Sequence, residues 1–286
     1  MHVQAKERAR TQQQAKERDR TRTLAKAVYR TLKIDNVYER YRTHLNEFAC
    51  VLTLQSKRSA YMPVIAAFNS KGGSTKSTAL LVLADSLARQ NASVTVIDTD
   101  PQRSIANWRE QATTSTIEVI EQTSSTGIHK AIKDASAKSA FVFVDMAGFT
   151  SDMRTPVVSR ADLMIIPMQP SPEDARKAAD SFALITSDEE TLGRTVDKRI
   201  LWSRTVPNMI SRVERKIMAE IQGNDVPSFT THLHERSAYK AMMLEGVPLA
   251  ELNRDEYNGV DKAITNADLL AAELVEYIIN KQEKAA

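Results

Sequence analysis

Cysteine is all but absent from this 286-residue chain, with Cys50 the single example. An internal disulfide is therefore excluded, and the usage suits a reducing cytoplasm. Long hydrophobic runs are missing too. Residues 141–144 and 163–168 are strand-sized, far short of the roughly 18 apolar residues a membrane helix needs. The first residues are charged throughout, so no secretory signal is expected there. Glycine and proline do not occur at all in residues 1–60. The chain also lacks a strong charge of either sign, with a net +3. That small balance conceals two unlike parts. Residues 1–60 carry 14 Lys and Arg against 6 Asp and Glu, whereas residues 61–286 carry 25 against 30.

The basic part has its own pattern. Ala5-Lys6-Glu7-Arg8 recurs ten residues on as Ala15-Lys16-Glu17-Arg18, in a segment rich in helix formers. Apolar residues at Leu24, Val28 and Leu32, then at Val37, Tyr41, Leu45 and Phe48, suggest amphipathic helices. Two readings stay open for residues 1–61. One is a DNA-contacting arm, since phosphate contacts need dense Lys and Arg. The other is a solvated or partly disordered helix ahead of the true domain start near Met62.

The rest of the chain is organised around Val64-Ile65-Ala66-Ala67-Phe68-Asn69-Ser70-Lys71-Gly72-Gly73-Ser74-Thr75-Lys76-Ser77-Thr78. A short apolar run long enough for one buried strand meets a turn with two adjacent glycines. From Ser77 an apolar stripe of Leu80, Leu83, Ala84 and Leu87 predicts a helix. Strand, glycine turn, Lys-Ser and helix make the layout of a phosphate-binding loop, where backbone N–H groups and a lysine converge on an anion. Two further strands end in acids. Residues 93–98 run into Asp98-Thr99-Asp100-Pro101-Gln102, and residues 141–144 into Asp145-Met146-Ala147-Gly148. Carboxylates at strand ends beside a phosphate site are costly unless they meet Mg²⁺ or orient water. Residues 161–168 form another buried strand, closed by three spaced prolines at 167, 170 and 172. Later strands are expected near 199–206 and 229–232, with helices near 127–137, 173–185, from 211, and over 261–284. Apolar strands alternating with helices predict an α/β fold, a doubly wound and mainly parallel sheet with the ligand at the strands' C-terminal ends.

Lys71-Gly72-Gly73-Ser74-Thr75-Lys76-Ser77 resembles the deviant Walker A loop of the ParA/MinD partition ATPases. Asp98-Thr99-Asp100-Pro101-Gln102 and the apolar strand ending at Asp145 resemble two further elements of the same family, in the right order. The resemblance covers residues 62–286 and implies an ATPase domain that dimerises around two ATP–Mg²⁺ molecules. By it, Lys76 serves its own nucleotide and Lys71 reaches the partner's phosphates, with Gly72, Gly73, Ser74, Thr75, Ser77 and Thr78 completing the loop. Asp100 would position the attacking water. Ser77 would bind Mg²⁺ directly, with Asp145 acting through water and Asp98 supporting the outer shell. Arg204 and Pro207 would lie near the base. Non-specific DNA contacts fall to Arg236 and Lys240 by the resemblance; Arg212, Arg215 and Lys216 are read either as a DNA contact or as a solvated face. A centromere-bound, ParB-like adaptor is the implied protein partner, and the implied location is cytoplasmic, on the nucleoid. A membrane partner is not expected, because Glu273, Glu276 and Glu283 interrupt the lysines of the closing helix.

One departure stands out. The family carries glycine where this chain has Thr75, and a positive φ there costs a threonine on the order of 1–3 kcal/mol. Asn107-Trp108-Arg109-Glu110 and His234-Glu235-Arg236 resemble the VirC1-like branch, which positions conjugative transfer machinery. A nucleotide-gated switch with little hydrolysis is the remaining alternative.

Overall fold

The computed structural model describes residues 62–70, 73, 75–148, 151–207 and 209–285. The basic segment at 1–61, and Lys71, Gly72 and Ser74 of the loop, lie outside the described residues. Elements alternate as anticipated. They are β1 (Val64–Ala67), α1 (Lys76–Arg89), β2 (Val94–Asp98), α2 (Ser104–Gln111), β3 (Glu118–Glu121), α3 (Ser125–Ser136), β4 (Phe141–Asp145) and α4 (Ser151–Val158). There follow β5 (Leu163–Met168), α5 (Pro172–Leu192), β6 (Asp197–Thr205), α6 (Arg212–Gly223), β7 (Leu233–His234), α7 (Ser237–Glu245), a 3₁₀ turn at Leu249–Glu251 and α8 (Val260–Ala285).

The strands form one sheet in the order β3-β2-β4-β1-β5-β6-β7. Every pairing in it is parallel. β1, β2, β4 and β5 are buried along their whole length. That is why they read as unbroken apolar runs rather than alternating ones. Val64, Ala66 and Phe68 join a core with Ile128 and Ile132 of α3, Val157 of α4 and Ile185 of α5. On the opposite face α1 packs against α8. Polar groups reinforce that contact: Ser86 Oγ donates to Asp268 Oδ1 at 2.6 Å, and Arg89 bridges Asp85 and Asp268 at 3.1 and 2.5 Å.

Three elements differ from the sequence expectation. The late strand lies at Leu233–His234 rather than 229–232; Phe229 is instead a core side chain beside an isolated bridge from Ser228 to Ile200. The residues after it form a helix, α7. α4 was not anticipated, because Pro156 sits inside it and masks the helical signal.

Candidate functional site

Sheet register alone brings the acids together. Asp145 pairs across the ladder with Ala67 on one side and with Asp98 on the other. Neighbouring strands lie about 4.8 Å apart, so the two carboxylates and the start of the phosphate loop share one end of the sheet. The backbone there is fixed from several directions. Thr99 gives both its N–H (3.0 Å) and its hydroxyl (2.8 Å) to the Asp145 carbonyl. Asn69 Nδ2 donates to the Pro167 carbonyl at 2.7 Å, and the Ser70 N–H donates to Ser181 Oγ at 3.0 Å.

Asp98 and Asp145 have opposite surroundings. The Asp98 carboxylate accepts from the N–H groups of Asp100, Ile105 and Ala106 at 3.1, 3.0 and 3.0 Å. A carboxylate has about four acceptor positions, so most of its capacity is spent shaping the turn into α2. Burial still pushes its pKa up, against those three hydrogen bonds. Asp145 is fully buried; among the described residues neither of its oxygens meets hydrogen-bond geometry, and the Ser77 hydroxyl is the donor close enough to act on it. Its pKa is pushed up to about 7, chiefly by burial; the nearby Ser77 hydroxyl and Lys76 oppose the rise, while Asp98 and Asp100 add to it. Lys76 is 7% exposed, and burial lowers its pKa against the attraction of Asp145 and Asp100.

A cavity of about 490 Å³ opens beside Lys76, and neither Asp98 nor Asp145 is among its lining residues. Gly73, Thr75, Lys76, Ser77 and Thr78 line one wall, and Asp100 and Gln102 another. Gly148 and Arg204 complete it, together with Met243 of α7. Thr75, the residue before α1, has φ +65° and ψ +17°. The left-handed conformation that makes threonine unfavourable at this position is therefore present.

The donor set fits a hard dication. A buried carboxylate, a hydroxyl and a second carboxylate nearby leave the site short of positive charge. Among the described residues no group of three His, Cys, Asp or Glu side chains forms a metal cage. Mg²⁺ keeps waters and leans on one or two protein ligands plus substrate phosphates. Ser77 and Asp145 are the residues that would hold it.

A model described as "VirC1 protein" matches residues 62–276. The chain belongs to that family. It is also 34% identical over 211 residues to the protein ParA of Rhizobium radiobacter, covering 73% of this chain and 95% of that one. The protein virC1 of the same organism is 24% identical over 183 residues, covering 62% of this chain and 78% of that one. In three dimensions an ATP complex of Cyanothece McdA superposes with a TM-score of 0.57 at 17% identity, over 76% of this chain and 97% of the other. The likeness to a ParA/MinD-type protein, which the motifs implied, thus holds for the family and for the fold.

The remaining candidates are scattered. Arg204 lines the cavity, on a backbone with φ +53°, whereas Pro207 is not among the lining residues. Arg212, Arg215 and Lys216 are exposed on α6, whose start is closed by a capping box between Ser211 and Glu214. Exposed apolar residues adjoin them: Met209 at 71% and Val213 at 58%. Lys240 is paired with Glu235 at 2.7 Å, and Arg236 is half-buried. Met243 escaped the sequence reading, since an apolar residue in a nine-residue helix carries no chemical signature. Ser181 escaped it as well: only the fold brings it to the loop, 111 residues away along the chain.

Proposed function

We propose that the chain is a Mg²⁺-dependent ATPase of the partition type. One observation carries the reading: the fully buried Asp145 carboxylate lies within electrostatic reach of Lys76 and Ser77, and those two residues line the cavity at the start of α1. Lys76 would hold the β- and γ-phosphates from the start of α1, where the helix dipole also favours negative charge. Mg²⁺ would neutralise charge that develops on the transferring phosphoryl group. Asp100, which lines the cavity, would orient a water. The relatives make ATP-dependent dimerisation the natural next step, with Lys71 reaching across to the partner's nucleotide. Non-specific DNA would be met by the Arg212, Arg215 and Lys216 face and by Arg236 and Lys240, and a ParB-like adaptor would stimulate turnover.

A second reading has an observation of its own. The φ of +65° at Thr75 raises the free energy of the loop conformation, and this favours a slow nucleotide-gated switch. The VirC1 match supports a variant in which the cargo is conjugative transfer machinery rather than a plasmid centromere. ATP hydrolysis measured with and without duplex DNA, in wild type, Lys76→Ala and Asp100→Ala, separates these. Slow DNA-stimulated turnover lost in both variants supports the partition ATPase. Binding and dimerisation without turnover above Asp100→Ala supports the switch, and no ATP binding overturns both.

A further inference from the structure

α5 carries three buried polar side chains at intervals of seven residues: Asp174, Ser181 and Asp188, exposed by 3, 0 and 6%. An ideal helix drifts by about 20° per seven residues, so the three lie along one narrow seam about 21 Å long. Each grips a different segment. Asp174 accepts from the Gln169 N–H at 2.9 Å, holding the residue just after β5, the strand whose Pro167 carbonyl accepts from Asn69. Ser181 accepts from the Ser70 N–H at 3.0 Å, while Ser70 Oγ donates to the Lys177 carbonyl one turn earlier at 3.2 Å. Asp188 accepts from Arg154 and, at 2.7 Å, from the Thr155 hydroxyl, both on α4 beyond the Asp145 and Gly148 segment. The Arg154 guanidinium lies over the Phe68 ring, 5.8 Å from its centre, closing the circuit back to β1.

Buried polar groups of this kind are costly unless they are satisfied; each accepts from another segment, and the Ser181 hydroxyl also donates to the Lys177 carbonyl of its own helix at 2.7 Å. The satisfaction is mutual: moving any one segment strips a partner from the seam. We propose that the α5 seam joins the phosphate loop and the segment following Asp145 into one unit, with Ser181 and Asp188 as positioning residues for the site. The proposal deepens the nucleotide reading above, and its test is made without nucleotide so that the two can fail separately.

The experiment is amide hydrogen exchange on the full-length, nucleotide-free chain. The hydrogen bonds of Ser181 go to Ser70 and Lys177 and not to α4, yet Ser181→Ala is expected to speed exchange not only over residues 68–78 but also over 151–158. The increase should be about threefold to tenfold, the scale set by one lost hydrogen bond. Asp188→Asn should act reciprocally, speeding exchange over 68–78, and Arg154→Met probes the same end should Asp188→Asn not fold. Ser181→Thr, which keeps the acceptor, should restore slow exchange at 151–158. If each variant loosens only the segment it touches, the seam is local packing and the proposal falls. Adding ATP and Mg²⁺ to wild type then asks the separate question: absence of protection at 75–78 would overturn the nucleotide reading and leave the coupling result standing.

Discussion

Two helices start at the same edge of the sheet in the same way and end up chemically opposite. α1 is preceded by Thr75 at φ +65° and α2 by Arg103 at φ +53°; neither residue caps its helix with its side chain, and neither helix has an acid in its first turn. At α2 the protein supplies its own anion. Asp98 takes the N–H groups of Ile105 and Ala106, and Arg103 reaches Glu121 and Glu110. At α1 the helix opens on the cavity, with Lys76 buried at its first position. A helix start completed from within is a structural joint, whereas one that lines a cavity carries the local dipole that favours an anion. The same local geometry thus meets an internal carboxylate in one case and a cavity in the other.

The sharpest way to break this comparison is to open the closed joint. Asp98→Ala leaves three N–H groups at the edge of the core without an acceptor and should destabilise the chain by about 3–5 kcal/mol in chemical denaturation. Asp145→Asn should do the reverse at the open site. It removes a buried charge, so the metal-free fold should gain about 1–3 kcal/mol while Mg²⁺–ATP binding is lost. The sign with pH follows from the raised pKa. The folded chain binds this proton more tightly than the unfolded one, so the penalty is absent below the ordinary carboxylate value of 3.8 and complete above about 7. The advantage of Asp145→Asn over wild type should therefore be larger at pH 8 than at pH 5. Thr75→Gly should tighten ATP binding by about threefold to tenfold by relieving the left-handed strain. It should change stability little, because glycine's added backbone freedom costs about 0.5–1 kcal/mol in return. Arg103→Gly is the smallest effect: the ion pairs it loses are solvent-exposed, and the unfolding midpoint should hardly move.

What could be read from the residues was the chemistry that is local in sequence. The glycine turn, Lys76 and Ser77 announce a phosphate loop, and apolar strands ending in Asp98 and Asp145 announce a parallel sheet with its site at one edge. The positive φ at Thr75 came into view only through the resemblance, because the family carries glycine at that position. Contacts that the fold makes between distant segments left no trace. Ser181 reads as an ordinary small helix residue until the Ser70 N–H is found against it. Met243 became a cavity residue only because α7 formed where a strand and turn had been expected, and Pro156 hid α4 from a periodicity search. Arg212, Arg215 and Lys216 were legible as charges, but a charged exposed face looks the same from the sequence whatever it meets.

The polar contacts between α1 and α8 limit how the site can move. With Ser86 and Arg89 fastened to Asp268, the far end of α1 is anchored to a 26-residue helix. A ligand arriving at Lys76 therefore cannot drive α1 along its axis like a piston without dragging α8 with it. The left-handed Thr75 thus stands next to a helix held at its far end, so its strain is borne by the turn rather than released by a sliding helix.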